Sequence, residues 1–61
     1  MNSLVSELQQ AVRLHQAGEL VAAENLYRKI LRVDPRHPDV LHLLGVAAHQ
    51  QRRHDEAVRH I

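Results

Sequence analysis

Sixty-one residues hold one domain at most, and a chain this short buries only about 60% of the surface its unfolded form exposes. Small chains usually borrow stability from disulfides, metals or association, and the absence of cysteine removes the first of these. Eight Lys and Arg against seven Asp and Glu leave a formal charge of +1, which gives little field for gathering nucleic acid or an anionic membrane.

Tyr27 is the sole aromatic, whereas a nucleic-acid groove wants stacking rings. Arg28, Arg32, Arg36, Arg52, Arg53 and Arg59 therefore read as a solvated helix surface. Apolar residues never run long enough to span a bilayer. The opening Met1-Asn2-Ser3-Leu4-Val5-Ser6-Glu7 has neither a basic start nor a signal-peptide apolar run. A cytoplasmic location, with neither nucleic acid nor membrane as partner, is the expectation.

In chain order, Ser3 can cap a first helix, with Glu7 set favourably against its dipole. Leu4, Leu8, Ala11, Val12 and His15 follow at helical spacing and predict a helix over about 3–17. Gly18 ends it, because glycine tolerates the left-handed conformation that closes a helix and turns the chain back. Leu20, Ala23, Leu26, Tyr27, Ile30 and Leu31 predict a second helix over about 20–33. Pro35 stops that helix, and Pro38 suits the first turn of a third, where its missing N–H costs nothing.

The third helix, about 38–51, carries Val40, Leu41, Leu43, Leu44, Val46, Ala47 and Ala48 on an arc wide enough to need more than one neighbour. Gly45 inside it costs about 1 kcal/mol in propensity relative to Ala, so close approach of another helix is the expected reason for it. Arg52-Arg53-His54 reads as a turn, Asp55 as an N-cap, and a fourth helix is expected over 55–61.

Leu41-x2-Leu44-Gly45-x2-Ala48, Ala57 and Ile61 stand in one period, and Ala23, Tyr27 and Pro35 stand in the period before. The shift that carries Ala23 onto Ala57 also aligns Val12 with Val46, His15 with His49 and Gln16 with Gln50. This pattern resembles the tetratricopeptide repeat, a helix-turn-helix unit whose period is about 34 residues. The resemblance implies an all-α, α-solenoid type fold of about 1.7 antiparallel repeats, in a single domain over 1–61. Repeat one covers about 4–37, and an incomplete repeat two covers 38–61. There are departures: Glu7, Gln10 and Ala11 stand where the family has Trp, Leu and Gly, and Arg52 and Arg53 replace the Gly18 and Glu19 of the first turn.

The resemblance implies a non-catalytic scaffold for protein or peptide partners, with no cofactor. In the family the first helix of each repeat lines a concave groove, and the matching positions here include Leu8, Gln9, Val12, His15, Gln16, His42, Leu43, Val46, His49 and Gln50. A clamp for acidic peptide C-termini would need basic and Asn side chains where Leu8, Val12, His42 and Val46 stand. An asparagine ladder would need Asn at Gln9 and Leu43. What remains is an apolar floor of Leu8, Val12, Leu43 and Val46 with polar edges, which suits an amphipathic helix or apolar peptide. The repeated pairs His15-Gln16 and His49-Gln50 either offer donors and acceptors to a peptide backbone or face solvent.

Six histidines raise the question of a metal, yet no two stand at i,i+3 or i,i+4, the spacing that lets one helix present two ligands. No metal site is expected. No nucleophile–base pair or phosphate-cradling loop can be assembled, so no enzyme is expected either. An array normally ends in a polar cap, and about three repeats are needed for independent stability. The face Val40, Leu44, Ala47, Ala48, Ala57 and Ile61 is accordingly expected to mediate self-association into a homo-oligomer. Two alternatives stand beside this reading. One is a histidine-dependent, metal- or pH-responsive assembly module. The other is the N-terminal regulatory segment of a larger bacterial-type transferase, since similar repeats precede such domains.

Overall fold

A computed structural model describes residues 3–59 as three helices: α1 Ser3–Gln16, α2 Leu20–Val33 and α3 Pro38–Arg59. Ser3 is itself helical, so it does not stand ahead of α1 as its cap. Gly18 adopts φ +83. Around it the Gly18 N–H donates to the His15 carbonyl at 3.1 Å and the Glu19 N–H to the Leu14 carbonyl at 2.9 Å. These are the paired bonds of a Schellman closure, which satisfy the last carbonyls of α1 and reverse the chain.

Asp34 closes α2 with its N–H on the Ile30 carbonyl at 2.9 Å. The start of α3 uses a residue that the sequence pattern leaves in a linker. The Val40 N–H donates to His37 Nδ1 at 3.3 Å, so His37 is the side-chain N-cap three residues ahead of Val40, with Pro38 in the first helical position. Asp39 in the first turn adds favourable charge against the helix dipole.

The fourth helix expected over 55–61 is not a separate element among the described residues, because α3 runs unbroken from Pro38 to Arg59. Where the first repeat has Gly18, α3 has Arg52, and a non-glycine residue in the left-handed region costs about 1–2 kcal/mol. Gln50, Gln51, Arg52 and Arg53 are good helix formers, so the ladder continues and Asp55 lies within the helix rather than capping one. At 1.5 Å per residue the 22 residues of α3 extend roughly 33 Å. They give the molecule extents of 46 × 21 × 14 Å and a radius of gyration of 12.4 Å, above the roughly 10–11 Å of a rounded domain of this size.

The core is formed by Ala11 of α1, Ala23, Tyr27 and Ile30 of α2, and Val40 and Ala47 of α3, all essentially inaccessible. Leu4, Leu8, Leu14, Leu20, Leu26, Leu31, Leu43 and Leu44 pack around them, half-buried. The alanines let helix axes approach, while Ile30 and Val40 each contribute about 1.5–3 kcal/mol through burial. Helix α2 contacts both α1 and α3 and so lies behind the pair. On its outer edge Lys29 Nζ meets Glu7 Oε1 at 3.5 Å, a surface pair worth about 0–1 kcal/mol.

Candidate functional site

The α1–α3 side is held together by a polar chain that starts in the core. Tyr27 is fully buried on α2, and a buried phenol needs a partner. Side chains of a helix lean toward its N-terminus, which on α2 is the end beside the last turn of α1, where His15 stands. His15 Nδ1 lies 3.0 Å from the Tyr27 hydroxyl, and the rings meet edge-on with centroids 6.0 Å apart. The other ring nitrogen, Nε2, lies 2.7 Å from Gln50 Oε1 on α3. A carboxamide oxygen only accepts, so Nε2 carries the proton and donates, Nδ1 is left as an acceptor, and the Tyr27 O–H donates to it. One imidazole thus joins all three helices. Desolvation in the core pushes the Tyr27 phenol above the ordinary tyrosine pKa.

Beside this junction the ten expected groove residues divide by exposure. Leu8 and Leu43 are half-buried against the core, and Val12 and Val46 are half-buried near them. Gln9, Gln16, His42, His49 and Gln50 are exposed. The two His-Gln pairs differ from each other. Both ring nitrogens of His15 and the Gln50 oxygen have partners within the chain, whereas Gln16 and His49 are exposed. Neither the peptide-facing nor the solvent-facing expectation foresaw this use of His15. The signal that could have revealed it was the need of a buried Tyr27 for an acceptor near the α1–α2 turn.

The expected self-association face is divided as well. Val40 and Ala47 are fully buried within the chain and Leu44 is half-buried against the same core. Helix α2 covers that line, so Val40 and Ala47 offer no outer surface. Ala48 and Ala57 are exposed, and Ile61 lies outside the described residues. Leu41 is 50% exposed on the opposite flank of α3. Below it a cleft of about 270 Å³ is lined by Gly45, Ala48, His49 and Arg52. The close approach expected at Gly45 is also missing among the described residues: a Cβ placed there meets none of their atoms within 4 Å.

Among the described residues no group of three or more His, Cys, Asp or Glu side chains is placed to hold a metal ion, and no helix is long and apolar enough to cross a membrane. His54 and Asp55 approach to 4.0 Å, both largely exposed. The arrangement offers an apolar strip with amide and imidazole edges.

Comparison with curated proteins and with solved structures gave no significant match. The family profile of the tetratricopeptide repeat matches residues 14–61, well over half of the chain. With the helix-turn-helix of α1 and α2 followed by the return of the pattern one period later in α3, the chain belongs to the tetratricopeptide repeat family.

Proposed function

We propose that this chain is a non-catalytic protein-binding module that receives an amphipathic helix or apolar peptide along the α1–α3 side. The observation that carries this reading is the exposure pattern: half-buried Leu8, Val12, Leu43 and Val46 beside exposed Gln9, Gln16, His42 and His49. An apolar stripe on a partner helix would cover the first set, while its backbone and polar flanks meet the second. The His15–Gln50 bond fixes the spacing of the two helices at one end, so the surface is preorganised and less ordering entropy is lost on binding.

The test is a selection of displayed amphipathic helical peptides against the chain. Selected peptides should lose at least tenfold in affinity to a Val46→Glu variant, about 1.4 kcal/mol or more. They should bind a Val21→Glu variant normally, since Val21 is exposed on α2. Peptides indifferent to Val46→Glu in a folded variant would remove the α1–α3 surface from the account.

A further inference from the structure

The two rims of the α1–α3 strip have a charge chemistry of their own. At about 100° per residue round α3, Leu43 and Gln50 follow the buried line of Val40 and Ala47, and Gln50 reaches His15 of α1. Half-buried Val46 comes next. Beyond it His42, His49 and Arg53 share one exposed line at i, i+7 and i+11. That line is the outer rim of the strip on α3. On α1 the exposed rim carries Gln9 and Gln16, with exposed Arg13 one turn after Gln9.

The chain has seven acids, yet none falls between Leu8 and Gly18 or between Val40 and His54. Glu7 is engaged with Lys29 on the α2 edge of α1, and Glu24 is buried on α2. Glu19 stands in the turn after α1 and Asp34 closes α2. Asp39 opens α3, while Asp55 and Glu56 follow Arg53. The polar groups along the middle of the strip can therefore all donate: carboxamide N–H from Gln9 and Gln16, imidazole N–H from His42 and His49, and guanidinium N–H from Arg13 and Arg53. A carboxylate, which only accepts, complements each of them. An ammonium only donates, and it meets the like charge of Arg13 and Arg53.

On the footing of the peptide-binding reading above, we propose that the helix received along this strip is acidic on the flank that meets α3. Its carboxylates are set against His42, His49 and Arg53. These three stand seven and four residues apart, roughly 10 and 6 Å along the axis. A partner helix lying along α3 meets them with carboxylates at the same intervals on one face. Each pair is exposed, so each contributes modestly and is weakened by salt. Together they select the partner by charge, while the apolar strip supplies the contact area.

The test uses three versions of one selected helical peptide, with the same apolar face and with flank positions all Glu, all Gln or all Lys. At neutral pH and low salt the Glu version should bind about fivefold or more tighter than the Lys version, with Gln between them. The spread should shrink in about 0.5 M salt. A His49→Glu/Arg53→Glu variant, changed at two exposed positions and checked for unchanged helix content, should reverse the order. Arg32→Glu, a charge reversal at an exposed position of α2, should keep it. Equal affinity of the three versions would overturn the acidic flank and leave the apolar strip as the binding surface. So would an order that His49→Glu/Arg53→Glu leaves unchanged, or that Arg32→Glu reverses as well. Loss of the strip itself would read differently, as binding indifferent to Val46→Glu, and would remove the acidic partner with it.

Discussion

Tyr27 and His15 carry more of this molecule's specificity than their size suggests. Tyr27 is in the centre of the core, and its hydroxyl is tolerated there because His15 Nδ1 accepts from it. Tyr27→Phe removes that bond and leaves an imidazole nitrogen without its donor, so it should cost about 1–2 kcal/mol at neutral pH in urea unfolding. The effect should fade in alkali. The folded-state phenol titrates above its unfolded value of 10.0, so above about pH 10 the unfolded chain gives up a proton that the folded chain keeps. That linkage lowers wild-type stability as pH rises from about 10 through the folded pKa, and leaves the Tyr27 contribution fully present below the unfolded value of 10.0. The stability difference between wild type and Tyr27→Phe should therefore narrow as pH rises above about 10. A constant difference across that range would contradict the burial of the phenol.

At the scale of elements, α1, α2 and the turn between them could be read from sequence because local chemistry and tertiary packing agree there. Gly18 marks the reversal and adopts the positive φ that a glycine is needed for. The periodic residues Ala11, Ala23, Tyr27 and Ile30 are the ones that become buried. The reading failed in α3, where repeat spacing led to a turn at 52–54 but Gln50, Gln51, Arg52 and Arg53 are good helix formers. Local propensity prevails at this point, since among the described residues no further element packs across to enforce the break. Arg52→Gly should restore part of the missing punctuation. It should cost about 1 kcal/mol in helix propensity and lower the hydrogen-exchange protection of amides 53–59 while that of α1 and α2 holds. Unchanged protection beyond residue 52 would show that something other than local propensity keeps α3 straight.

The candidate site was legible in part. Half-buried Leu8, Val12, Leu43 and Val46 follow directly from the helical period, but the roles of His15, Gln50 and His37 depend on where the helices meet. No spacing rule for one helix contains a contact such as His15 to Gln50, which joins two helices far apart in the chain. The outward line on α3 was misplaced for a related reason. A wide apolar arc does not say which edge α2 will cover, and the edge it covers holds Val40 and Ala47.

For the whole molecule, three helices with one core leave α3 exposed on two separate sides. One faces α1 and offers an apolar strip with polar edges, and the other carries Leu41, Gly45 and Ala48 with little chain nearby. The proposed peptide-binding surface is the one on the α1 side. Amide chemical-shift mapping during titration with a selected amphipathic helical peptide tests it most directly. As peptide is added, the amides of Val12 and Val46 should shift, while that of Val21, exposed on α2, stays fixed. Shifts centred on Val21, with Val12 and Val46 unmoved, would contradict it.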